Sequence, residues 1–159
     1  RIMADNAIGN ISASVFMDEV KASFGGKLSY EPDDASDKWI YAEVTVGTSS
    51  GDLLSTSYTY LGTTTSVAAG DKYKWVAIKN LDSSNSILVS QSAGTVAHGG
   101  STANAGMLIE PNELFIAKMP QSTQADVHAV AVTVATNGTI SASSSSVQAQ
   151  VAALMDDVG

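Results

Sequence analysis

Cysteine is absent from this 159-residue chain, so it has no disulfide, thiol nucleophile or thiolate metal site, and the redox compartment stays open. Basic residues are scarce too: eight Lys and Arg stand against sixteen acidic residues, for a net charge of −8. The seven lysines are scattered from Lys21 to Lys118, with Arg1 at the start. Binding a phosphate backbone needs clustered cations, so no nucleic-acid partner is expected. Charged residues make up only 15%, well under the usual quarter or so. No apolar run approaches the ~20 residues that cross a bilayer, and no basic and apolar leader opens the chain. No membrane partner is expected. The start, Arg1-Ile2-Met3-Ala4-Asp5, reads either as an initiator with residues ahead of it or as an internal point of a longer chain.

Catalytic and metal-binding constellations are equally thin. Only His98 and His128 are available as imidazoles. His128 lies in the strand-like run DVHAVAVTV, where a sheet surface or subunit contact is the expected role. His98 precedes Gly99-Gly100, a fragment of an oxyanion-hole loop without the Gly-x-Ser-x-Gly elbow that should accompany it. Two isolated histidines do not make a zinc site. Glu31, Asp33, Asp34 and Asp37 lack EF-hand spacing and its central glycine, so a solvated acidic loop is expected rather than a calcium site, as for Asp156-Asp157. Neither phosphate-binding glycine motif occurs. The sequons at Asn10 and Asn137 have structural explanations, as a strand opening and a tight turn. No enzyme, cofactor or metal is therefore expected.

What the chain does have is alternation. Hydrophobic residues reach 44%, and a chain of this length can bury a core. Residues 10–17, 27–31, 38–46, 53–61, 72–80, 86–90, 107–109, 114–119, 126–134 and 147–154 read as strands. Gly25-Gly26, Asp82 to Asn85, Glu110-Pro111-Asn112-Glu113 and Asn137-Gly138 read as turns. Residues 18–24 are compatible with one short helical turn, and residues 93–105 read as a loop. In 72–80, Tyr73, Trp75 and Ala77 are expected on one face, opposite Lys74, Val76 and Ile78. Lys38-Trp39-Ile40 is echoed by Lys74-Trp75-Val76, which similar turn composition explains more cheaply than equivalent strand pairs in two sheets. The aromatic residues Trp39, Tyr41, Tyr58, Tyr60, Tyr73 and Trp75 also admit a sugar-stacking platform, although rings at strand spacing are usually core or interface anchors. The expected fold is all-β: a single-domain antiparallel β-sandwich or jelly-roll-like barrel over 10–159, with an extended N-terminal arm over 1–9.

The middle third carries a resemblance. Gly70-Asp71-Lys72 leads into Lys74-Trp75-Val76-Ala77-Ile78-Lys79-Asn80, then a Ser/Asn turn, then Ile87-Leu88-Val89-Ser90, a loop, and Ile109-Glu110-Pro111-Asn112-Glu113-Leu114-Phe115. This is similar to small virion structural proteins of tailed bacteriophages, marine phages especially, whose strand ending in Ile-Lys-Asn leads to a hairpin and a Pro-Gly-Glu turn. Asn112 replaces the usual glycine and tolerates the same left-handed geometry. The resemblance implies a capsid decoration (cement) protein on the virion surface, bound to the major capsid protein lattice as a homotrimer. A tail or neck component, or a carbohydrate-binding adhesion module, is the alternative. The expected contact residues are Ile2 and Ile8 of the arm, Tyr73 and Trp75, and the turn Glu110, Pro111, Asn112 and Glu113.

Overall fold

The computed structural model describes residues 7–17, 20–32, 34–91 and 106–157. Among these the chain is all antiparallel β, with one 3-10 turn at Gln124–Asp126 and no α-helix. It divides into two units, Arg1–Ala35 and Ser36–Gly159. The division therefore falls after residue 35, not between an arm over 1–9 and a domain over 10–159.

The first unit is one hairpin. β1 (Ala7–Met17) pairs antiparallel with β2 (Val20–Tyr30) along eleven residue pairs, from Ala7↔Tyr30 to Met17↔Val20. Two expectations are corrected here. Residues 20–24 are strand, not helix, because so short a helix has too few bonds to repay nucleation, whereas β1 offers a complete ladder. Gly25-Gly26 lies inside β2, opposite Ser12 and Ile11, and is not a turn. Residues 1–6, including Ile2, lie outside the described residues.

The second unit is a sandwich built from β3 (Asp37–Val46), β4 (Gly51–Asp52), β5 (Tyr58–Tyr60), β6 (Thr63–Thr65), β7 (Lys72–Asn80), β8 (Ser86–Ser90), β9 (Met107–Ile109), β10 (Leu114–Lys118), β11 (His128–Val134), β12 (Ile140–Ala142) and β13 (Val147–Asp156). One sheet has the order β10-β7-β13-β3, and the other β12-β11-β8-β9 with β4 also on β11. β5 and β6 form a separate small hairpin. The expected strand over 53–61 is shortened to β5, because Leu53 and Leu54 turn inward as core residues. The sheets share one core: Ile40, Ala42, Val44 and Val46 alternate inward from β3, facing Ile87, Val89, Ala129 and Ala131 from the other sheet. Val147, Ala149, Val151 and Ala153 supply the inner face of β13 at zero exposure. β8 and β11 are buried on both faces, with Leu88, Val130 and Val132 forming a second cluster away from the main core. A continuous apolar run such as SILVS suits a strand of that kind.

The four-stranded sheet turns on β13. Both flanking strands run antiparallel to it, and each carries a lysine near its start with an aspartate at, or just before, its first residue. Lys38 of β3 reaches Asp71, just before β7, at 2.6 Å, and Lys74 of β7 reaches Asp37 of β3, also at 2.6 Å. Both carboxylates and Lys74 are almost completely buried, and Lys38 adds a 3.1 Å contact to Asp157. The echo between residues 38–40 and 74–76 thus marks two strands of one sheet, not pairs in two.

The exchange depends on a bulge. Leu154 pairs with Trp75 but Met155 pairs with Tyr73, which leaves Lys74 as an extra residue. Side-chain alternation breaks there. Tyr73 joins the core at zero exposure, beside Met155, whereas Trp75 opposes Leu154. The expectation that Tyr73 and Trp75 share a face is corrected by that one inserted residue.

Removing one member of a buried ion pair strands its partner without solvent and costs about 3–5 kcal/mol, whereas replacing both with apolar groups is far cheaper. Lys74→Met and Asp37→Leu are each expected to lower urea stability by that order. The double variant should recover most of the loss, as a double-mutant cycle would show.

Candidate functional site

Three surfaces collect the residues that can meet a ligand or partner. On the hairpin, the pairs Gly9↔Leu28, Ile11↔Gly26 and Ala13↔Phe24 fall on one face, and Asn10↔Lys27, Ser12↔Gly25 and Ser14↔Ser23 on the other. Strict alternation makes the ribbon amphipathic. Its apolar side is open: Ile11 is 49% and Phe24 64% exposed, and together with Leu28 they border a groove of about 250 Å³. Ile8, predicted as a contact residue, is exposed but opposes Ser29 on the polar face.

The outer face of the four-stranded sheet is the second surface. Its rows run Leu114–Lys79–Gln150–Glu43, then Ile116–Ala77–Ala152–Tyr41, then Lys118–Trp75–Leu154–Trp39. Trp39 and Trp75 flank Leu154 and meet edge to face, with centroids 6.0 Å apart. Trp75, predicted as a contact residue, is only 6% exposed. The indole N–H groups of Trp39 and Trp75 are both buried without a hydrogen-bond partner. The β5–β6 hairpin stands against β3. Thr65 donates to the Trp39 carbonyl at 3.5 Å, and the Tyr60 ring packs on Tyr41 at 4.9 Å. Between them lies a cleft of about 340 Å³. At the hairpin tip Leu61 (φ 49°) and Gly62 (φ 80°) are both left-handed, as a two-residue type I′ turn requires.

The third surface is the turn Glu110-Pro111-Asn112-Glu113, whose outer residues are exposed. Asn112 has φ 63°, and the Glu113 N–H donates to the Glu110 carbonyl at 3.1 Å. The Glu113 carboxylate accepts from the Glu110 N–H at 2.9 Å. Proline followed by a left-handed residue is the type II pattern. Asn80, fully buried at the end of β7, locks this turn in place. Its N–H donates to Glu113 O at 3.0 Å, and its Nδ2 donates to Asn85 O at 2.9 Å and Ile109 O at 3.2 Å. Its Oδ1 accepts from Asp82 N–H at 2.9 Å. The Ile-Lys-Asn and Pro-Asn-Glu pieces are thus parts of one lock.

Other predicted chemistry is placed as follows. His128 Nε2 lies 2.8 Å from the Ala125 carbonyl and 3.3 Å from Asp52, and Nδ1 lies 3.4 Å from Ser50 Oγ. The imidazole ties β4 and the 3-10 turn to β11. The Asp37 carboxylate is engaged by Lys74, Glu31 and Asp34 are exposed, and Asp33 lies outside the described residues. Among the described residues no three His, Asp or Glu side chains are grouped to hold a metal ion. His98 and the loop 93–105 lie outside the described residues. In the turn after β11, Asn137 Oδ1 accepts from Thr139 N–H at 3.1 Å. Asp82 accepts the N–H groups of Ser84 and Asn85 at 2.7 and 2.8 Å. These backbone bonds, Asn85 first, hold its carboxyl below the usual value.

Burial pushes the Tyr73 hydroxyl well above the ordinary phenol value of 10.0, and Tyr58 and Asp52 add to the shift against the nearby Leu54 backbone. Tyr58 is raised for the same first reason, burial. The Tyr73 hydroxyl has no partner in hydrogen-bond geometry. Tyr73, predicted as a contact residue, is therefore a core residue. Sequence reading missed Ile11, Phe24 and Leu61; the alternation of residues 9–13 and 24–28 was the available signal for the first two.

The chain matches no family model, no curated protein and no solved structure.

A raised phenol pKa stabilises the fold fully below the unfolded value, and that stability is lost as pH climbs from about 10 toward the folded value. Tyr73→Phe should move the midpoint of alkaline unfolding, followed by circular dichroism, to higher pH. At pH 7 it should change stability by no more than about 1 kcal/mol. Asn80→Ala, by contrast, leaves several buried backbone groups unpaired. It should cost about 3 kcal/mol or more in the same assay.

Proposed function

We propose that this chain is a structural virion protein, a capsid decoration protein that binds the outer shell of a tailed-phage particle through protein–protein contacts. The amphipathic hairpin β1–β2 carries this reading. A two-stranded ribbon is marginal in water by itself, and here its apolar side leaves Ile11 and Phe24 open. A surface that covers Ile11 and Phe24 would stabilise the ribbon and bind the chain in one step. A repeating shell offers that surface in many equivalent copies, and a homotrimer is the closed assembly that would fit a three-fold site on it. The resemblance of residues 71–119 to phage virion proteins points the same way. So does the low-charge, acidic composition, which suits docking on a basic neighbour. A tail or neck position would use the same fold and the same hairpin.

Antibody-gold labelling of particles that carry the chain, viewed by electron microscopy, is expected to decorate the shell; label confined to neck or tail would overturn the shell assignment. Phe24→Asp should abolish binding to shells stripped of the chain, with the sandwich's melting temperature unchanged. Undiminished binding of that variant would remove the hairpin from the interface.

A further inference from the structure

We infer that the cleft between β3 and the β5–β6 hairpin is a binding site for a neutral saccharide. This surface is separate from the hairpin face assigned to shell docking, and either assignment can fail alone.

The side chains around the cleft define what fits. Rings of Trp39, Tyr41, Tyr58 and Tyr60 line it, and no charged side chain does. The remaining polarity is hydroxyl: the tyrosines, with Thr63 and Thr65 at the hairpin side. A pyranose has the complementary surface, an apolar C–H face that lies on a ring and a rim of hydroxyls that exchange hydrogen bonds. An ionic ligand would find no counter-charge among these side chains, and the net charge of −8 repels acidic ones. The volume, about 340 Å³, lies at the small end of ligand sites, which run from about 300 to 1,000 Å³.

Two features show that the cleft is built rather than incidental. Tyr41 and Tyr60 are held by each other, with centroids 4.9 Å apart and planes tilted by 53°, although both are exposed at 41% and 52%. Their rings are thus pre-positioned, which lowers the ordering cost of binding. Leu61 is the second feature. It is 87% exposed, at φ 49°, in a turn position where asparagine or glycine carries less strain. A bulky apolar side chain held there at a conformational cost extends the wall of the cleft, and it contributes nothing to a core.

The test is a glycan array carrying neutral hexose and N-acetylhexosamine oligosaccharides beside sialylated and sulfated ones, probed with the full chain. Calorimetry then follows on the best neutral oligosaccharide. Saturable binding to neutral glycans is expected, weakened about tenfold by Tyr60→Ala and again by Tyr41→Ala, as loss of one ring contact predicts. Both rings lie outside the core, so each variant should stay folded, with the melting temperature lowered by no more than the loss of the one Tyr41–Tyr60 ring contact. Leu61→Asn serves as a second variant that keeps the turn: weaker binding with an equal or higher melting temperature is expected. The inference is overturned if no neutral glycan binds, if only acidic glycans bind, or if affinity survives the Tyr41→Ala/Tyr60→Ala pair. Capture of proline-rich peptides by the same rings, with no sugar bound, would overturn it as well.

Discussion

Two lysines and two aspartates, exchanged across a strand that belongs to neither pair, hold the sandwich in register. Lys38 leaves β3 for Asp71 and Lys74 leaves β7 for Asp37, with β13 between the two strands. Four charges withdrawn from water are tolerable only because they cancel pairwise at short distance. Their contribution is to specificity as much as to stability. A one-residue slip against β13 would send Glu43 of β3 or Lys79 of β7 toward the apolar core and pull Ile40 or Ile78 out of it. The hydrophobic pattern on both strands and the ion pairs therefore select the same register.

The surface chemistry follows from that arrangement. Accommodating Lys74 as an extra residue sends Tyr73 inward and leaves Trp75 opposite Leu154, directly across from Trp39. The two indoles close over Leu154 and shield it fully from solvent. Trp39 is then fixed as the floor against which the β5–β6 hairpin leans, through Thr65 on its carbonyl and Tyr60 on its neighbour Tyr41. The aromatic cleft itself is lined from β3, β13 and the β5–β6 hairpin.

Much of this was legible in the sequence, for reasons that particular residues make plain. Alternation in residues 38–46 and 147–154 and the Pro-Asn turn gave strands and a turn where the structure has them, because each rests on local sterics. Residues 20–26 misled because Gly-Gly and a helix-compatible run are local signals, and a long ladder to β1 overrode both. The bulge at Lys74 was invisible, since it depends on where Asp37 lies in the folded sheet. Tyr73 and Trp75 were consequently read as one face. The cleft was legible only as a set of aromatic residues. Which of them would be buried, like Tyr73, and which would stand open, like Tyr60, depended on the second sheet and on β6, the three-residue partner of β5, which carries no signal of its own in the sequence.

The place of β13 has a consequence for how the chain comes to be folded. It is the last of the described strands in sequence yet lies inside its sheet, between β3 and β7, and Ser36 meets Asp156 across 120 residues. Until residues 147–156 have been synthesised, β3 and β7 have no shared neighbour, and their facing edges carry unpaired backbone groups and apolar side chains. Such edges invite pairing with other chains, and closure across so long a separation is slow. The sandwich can assemble only after nearly all of this sequence has left the ribosome. The partly made chain is thus the form most exposed to aggregation or in need of a chaperone.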